Sequence, residues 1–264
     1  MTPILQIQHL AVRFGGLTAI ADMSMEVREG EVLSLIGPNG AGKTTAFNAI
    51  TGYLPSASGE VLWCGKKINK LRTSEIAALG LVRTFQKTSL FAGRSALDNI
   101  LIGLHLRGRQ TPLAIMLGLP YVAREEHDLV VEARKILDFV GLLKRQDELA
   151  SALPYGEQRL LEVAIALAAR PKLLMLDEPV SGMNPSETAG FMAKLAEIRA
   201  QGITVLLVEH DMKMVMGVSD RVVCLSQGRI IAEGTPAQIQ RDPEVIKAYL
   251  GERYKHVEGA HGRA

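Results

Sequence analysis

The rhythm of apolar and polar positions changes three times along the chain. Over residues 4–27 the strings ILQIQHLAVRF and AIADMSMEV read as short strand-like runs, parted by a turn at Gly15 and Gly16. EVLSLI at 31–36 is a compact apolar strand that runs directly into a glycine-rich loop. Residues 43–51 then read as a helix stopped by Gly52. EVLWC at 60–64 and VRTFQ at 82–86 give further strand signals. Between 95 and 169 the period becomes helical, as in Leu129, Ala133, Ile136, Leu137 and Val140, so this stretch is expected to be a mostly helical insert. Strands return with LLML at 173–176 and ITVLLVE at 203–209. The intervening 185–200 has helical spacing and is closed by Gly202. A strand–helix–strand unit implies a parallel sheet. RVVCLSQGRIIAEG at 221–234 predicts a hairpin turning at Gln227 and Gly228, and the patternless residues 252–264 are expected to form a mobile tail.

Two strings within this frame carry chemistry. Gly37, Pro38, Asn39, Gly40, Ala41, Gly42, Lys43, Thr44 and Thr45 fit G-x-x-x-x-G-K-[ST] between a predicted strand and a predicted helix. The glycines let backbone N–H groups turn inward around phosphate oxygens, and the helix aims its positive end at the same anion. Lys43 is expected to reach the β- and γ-phosphates, and the Thr44 hydroxyl to ligate Mg²⁺. A chance match in a structural loop would not need both a strand and a helix beside it. LLMLDEP then ends an apolar strand in Asp177 and Glu178. Consecutive residues at a strand end point to opposite sides, so Asp177 can serve the metal while Glu178 faces the attacking water as general base. The string nearest to a guanine-reading Asn/Thr-Lys-x-Asp is Asn69-Lys70-Leu71-Arg72, which lacks the Asp and disfavours GTP.

Composition narrows the class without changing that picture. The 264 residues allow one or two domains. Thirty Lys and Arg against 28 Asp and Glu give a net charge of +2, which argues against a protein that coats nucleic acid. Cys64 and Cys224 are too few for a disulfide framework and read as reduced thiols. The longest apolar stretch, 112–123, is too short for a bilayer and holds two prolines, and Gln6, Gln8 and His9 interrupt any signal-peptide pattern. The expectation is a chain neither secreted nor membrane-spanning, with peripheral attachment left open.

Smaller pieces follow in a telling order: Gln86 after the phosphate loop, LPYGEQ at 153–158 before Asp177, SGMNP at 181–185 after Glu178, and His210 at the end of a strand. From about residue 4 to 251 this order resembles the ATP-binding subunits of ABC transporters. The resemblance implies an α/β fold over 1–251: a P-loop nucleotide-binding core sheet, a flanking antiparallel β-subdomain and a helical subdomain at roughly 90–169. It makes Gln86 the Q-loop glutamine that touches Mg²⁺ and senses the membrane subunit. It makes LPYGEQ, with Tyr155, Gly156 and Glu157, the signature motif that closes over a partner's ATP. His210 becomes the switch histidine at the γ-phosphate, and Phe14 the ring that stacks on adenine.

RFGGLTAI, VRTFQKTSLF, YGEQRLLEVA and DPEVIKAYLGE are similar to the branched-chain amino acid uptake class, in its longer ATPase subunit type. The implied function is ATP hydrolysis, with Mg²⁺, that drives solute import through a permease. The implied partners are a second ABC ATPase subunit in a head-to-tail pair, two membrane permease subunits and an extracytoplasmic solute-binding protein, with no nucleic acid. The implied place is the cytoplasmic face of the inner membrane, as a peripheral subunit. The other reading is a soluble ABC-type ATPase acting on ribosomes or nucleic acid. Such proteins usually carry two cassettes or long coiled-coil inserts, whereas this chain has one cassette and no sustained heptads. Pro154 stands where the family usually has Ser, Tyr155 and Glu157 where Gly and Gln are commoner, and Asn184 where many members have Asp. The first departure removes a donor to the opposing γ-phosphate.

Overall fold

The computed structural model describes residues 3–84, 90–105 and 120–249. Gln86 and the tail at 252–264 lie outside the described residues. The strands form β1 (Pro3–Phe14), β2 (Leu17–Arg28), β3 (Val32–Ile36), β4 (Ser58–Trp63), β5 (Lys66–Lys67), β6 (Leu81–Arg83), β7 (Leu173–Asp177), β8 (Thr204–Val208), β9 (Arg221–Ser226) and β10 (Arg229–Gly234). They lie in the order β5-β4-β1-β2-β10-β9-β3-β8-β7-β6.

The order joins two kinds of sheet. β1 pairs antiparallel with β2 and β4, and β4 with β5. On the other side β3 pairs in parallel with β8 and β9, and β7 with β6 and β8. Every residue of β3, β7 and β8 is buried, as befits parallel strands covered on both faces. That is why VLSLI, LLMLD and TVLLV are near-continuous apolar runs rather than alternating ones.

Helices α1 (Lys43–Ile50) and α2 (Thr73–Ala78) lie with the nucleotide-loop half. α1 buries Phe47 in the cluster shared by the antiparallel strands and the core sheet. α3 (Ala96–His105), α4 (Pro120–Phe139) and α5 (Tyr155–Ala168) share a separate apolar cluster through Ile100, Ala133, Leu137 and Leu161. Leu129, Ala133, Ile136 and Leu137 of the helical period are thus the core-facing stripe of α4, and Val140 packs just past its end. α6 (Pro185–Ala200) covers the opposite face of the core sheet with Phe191, Leu195 and Ile198. It starts at Asn184, whose side chain accepts the N–H groups of Ser186 and Glu187 in a capping box. α7 (Met212–Val218), α8 (Pro236–Ile239) and a helix at 243–249 complete the C-terminal part. Among the described residues no helix is long and apolar enough to cross a membrane.

Candidate active site

In the parallel half, the carboxyl ends of β3, β8 and β7 stand side by side, and each is followed by a motif read from the sequence. Open α/β sheets bind ligands outside these ends. After β3 comes the phosphate loop. Gly37 has φ +148° and Gly42, the residue that caps α1, φ +108°. A Cβ on Gly37 would lie 2.0 Å from the Leu225 carbonyl oxygen, and one on Gly42 2.7 Å from that of Ala19. Neither position admits a side chain. The Gly228 N–H donates to the Ala41 carbonyl at 2.9 Å, so the β9–β10 turn anchors the loop from behind. Lys43 is buried, and its Nζ donates to the Gly37 carbonyl at 2.6 Å and the Pro38 carbonyl at 3.0 Å. Thr44, Asn39 and Gly40 are exposed at the loop's mouth.

β7 ends in Asp177, which is buried. Its Oδ2 accepts from Arg83 Nη2 at 2.7 Å, while its Oδ1 is buried with no hydrogen-bond donor. Burial pushes this carboxyl above its ordinary value, opposed by the Arg83 guanidinium and by the nearby charge of Lys43. Arg83 also donates to Asn48 Oδ1 on α1 at 2.6 Å, which links the phosphate-loop helix to the end of β7. Glu178, the next residue, has φ +49°, sparsely populated for a residue with a Cβ. Its N–H donates to the Val208 carbonyl at 2.9 Å, so the chain turns sharply there while still paired to β8. His210 follows β8, and its Nδ1 lies 4.0 Å from Glu178 Oε1. Its side chain is 59% exposed and that of Glu178 24%, so the pair faces outward.

The other expected residues sit as follows. Phe14 ends β1 opposite Leu17 and is 47% exposed, so its ring face is available for stacking. Tyr155, Gly156 and Glu157 form the first turn of α5, but both polar side chains bond within the chain. The Tyr155 hydroxyl donates to the Ser181 carbonyl at 2.9 Å and accepts from Arg159, and Glu157 pairs with Arg145 at 2.7 Å. What this turn offers outward is its backbone N–H groups at a helix N-terminus. Pro154 is the residue before the helix rather than within its first turn, with ψ 151° and no side-chain cap. Two polar residues here were not singled out from the sequence, Arg83 and Glu209, because each lies in an apolar string that reads only as strand. A charge at the end of a buried strand is the signal that finds them.

The family described as ABC transporter matches residues 20–181, and the one described as branched-chain amino acid ATP-binding cassette transporter matches 229–255. The chain belongs to the ABC transporter family. This ATPase is 44% identical to the high-affinity branched-chain amino acid transport ATP-binding protein BraF of Pseudomonas aeruginosa, over 95% of this chain and 98% of that protein. It is 42% identical, over the same shares, to LivG of Escherichia coli, described in the same words. Its fold is similar to the crystal structure of an ABC-transporter cassette in its ADP conformation, with TM-score 0.84 and 33% identity over 95% of this chain and 100% of that one. A nucleotide-free cassette gives 0.83, likewise at 33% identity, over 94% and 99%.

Proposed function

We propose that this ATPase powers the uptake of branched-chain amino acids through a membrane permease. The observation that carries the chemistry is the meeting of Glu178 and His210 at 4.0 Å beside the phosphate loop. In this reading the loop N–H groups, Lys43 and the α1 N-terminus hold the β- and γ-phosphates, and Phe14 stacks on the adenine. Glu178 takes the proton from the water that attacks the γ-phosphorus, as the bond to the bridging oxygen breaks and ADP leaves. His210 donates to the γ-phosphate from the end of the neighbouring strand, β8. The buried Oδ1 of Asp177, with no donor of its own, fits a cation, and the exposed Thr44 hydroxyl would supply a second oxygen ligand. Mg²⁺ held there, with Gln86, would neutralise charge on the phosphates.

In this reading the phosphate loop holds this chain's own ATP and the α5 N-terminus closes over a partner's, in a head-to-tail pair with a second ATPase subunit. Two permease subunits and an external solute-binding protein complete the system, and the chain works at the cytoplasmic face of the membrane. The solute class rests on the match at 229–255 and on the two named relatives. The test is purification from detergent-solubilised membranes, followed by hydrolysis assays on vesicles. Co-purifying permease chains and ATP turnover raised by a branched-chain amino acid with its binding protein support the reading. Association with ribosomes or DNA at physiological salt contradicts it.

A further inference from the structure

Glu209 follows β8 directly and is fully buried. Among the described residues no lysine or arginine forms an ion pair with it; it accepts hydrogen bonds from backbone donors, and His210 Nδ1 lies 3.7 Å from its Oε2. Oε1 accepts the Val180 N–H at 3.1 Å, and Oε2 accepts the N–H groups of His210 at 2.9 Å and Asp211 at 3.2 Å. The two oxygens thus hold two different segments. Val180 lies two residues beyond Glu178, and His210 is the next residue in the chain. Burying a carboxylate costs heavily unless several hydrogen bonds hold it, so a purely apolar strand end would be the cheaper way to fill this space. What the carboxylate gives instead is a second fastening one step beyond the last sheet bond, from the Glu178 N–H to the Val208 carbonyl, where the two turns leave the ladder.

We infer that Glu209 is a positioning residue that fastens the segment carrying Glu178 to the segment carrying His210. It sets the spacing of the two side chains, now 4.0 Å between Nδ1 and Oε1. The inference rests on the roles given to those two residues above. A small misplacement of groups that act together at a reacting centre costs up to about a hundredfold in rate. Glu209→Gln keeps one acceptor oxygen, but its NH₂ then faces N–H donors on the other arm, so one arm opens. Glu209→Asp keeps two acceptors but is one methylene too short to reach both.

The experiment is a double-mutant cycle on the assembled transporter, with radiolabelled ATP to reach residual rates: wild type, Glu209→Gln, His210→Ala and the double variant. Glu209→Gln is expected to lower kcat about 10- to 100-fold, with KM for ATP within about twofold, because the phosphate loop is untouched. In the His210→Ala background the same change is expected to cost less than about threefold. Equal factors in both backgrounds would mark a general loss of stability and overturn the inference alone. Full turnover by His210→Ala would overturn the reading of the site on which it rests. If Glu209→Gln does not fold, Glu209→Asp enters the same cycle; if neither folds, Glu209 is a stability element and the inference fails.

Discussion

Removing one hydroxyl should loosen the signature helix from the turn after Glu178 without touching the phosphate loop. In Tyr155→Phe the ring remains against Gly182, where an added Cβ would lie 3.1 Å from it. Three hydrogen bonds disappear: one donated to Ser181 at 2.9 Å and two accepted from Arg159 at 3.0 and 2.8 Å. The neutral bond is worth about 1 kcal/mol. Arg159 keeps Glu162 at 2.9 Å, so its charge is not stranded, and the lost phenol contacts add about another 1 kcal/mol. Tyr155 is 40% exposed, and water replaces part of this, which leaves about 1–2 kcal/mol. For a protein of this size that lowers Tm by about 2–4 °C. Scanning calorimetry of the purified chain measures the shift, and a nucleotide titration of the same sample should return wild-type affinity. A Tm within about 1 °C of wild type would refute the strut.

Other substitutions probe other parts. Glu178→Gln should keep ATP binding and lose about 10²–10⁴-fold in turnover, read by steady-state hydrolysis beside equilibrium binding. Pro154→Ser places a hydroxyl at the capping position that lacks one and should raise ATPase activity of the assembled transporter several-fold, with nucleotide affinity of the isolated chain unchanged. Burial pushes the Cys224 thiol up to about 11, whereas Cys64 is exposed, so iodoacetamide at about pH 8.5 should label Cys64 alone until the chain is unfolded. Because the folded value exceeds the unfolded one of 9.0, this group's stabilising contribution is complete below pH 9 and is lost as pH rises towards 11, visible as a falling urea midpoint.

The parallel core and its motifs were legible because burial on both faces writes itself as apolar runs, and phosphate binding needs glycine where a Cβ cannot fit. The bounds of α6 follow from helical spacing over 185–200 and the closing Gly202; the Asn184–Glu187 capping box at its start is what the structure adds. The β9–β10 turn at Gln227 and Gly228 was equally plain, both residues having positive φ. The N-terminal strands were less so. β1 and β2 run twelve residues each, but irregular register near Ile7 to Val12 and a positive φ at His9 break the alternation into short pieces. Short α2 and α7 carry too few turns for a period to show. At the site, Lys43, Asp177, Glu178 and His210, which the structure sets at neighbouring strand ends, were singled out by their motif spacing. Arg83 and Glu209 were not, because their importance lies in bonds across the sheet that no local spacing records.

The central claim is that one chain carries half of each of two ATP sites. Its most direct test is the mass of Glu178→Gln mixed with its partner ATPase subunit, measured by light scattering with and without MgATP. The account predicts separate subunits without nucleotide and a stable pair with MgATP, dispersed again when Lys43→Ala is added. A pair that forms equally well without nucleotide, or no pair at saturating MgATP, would contradict it.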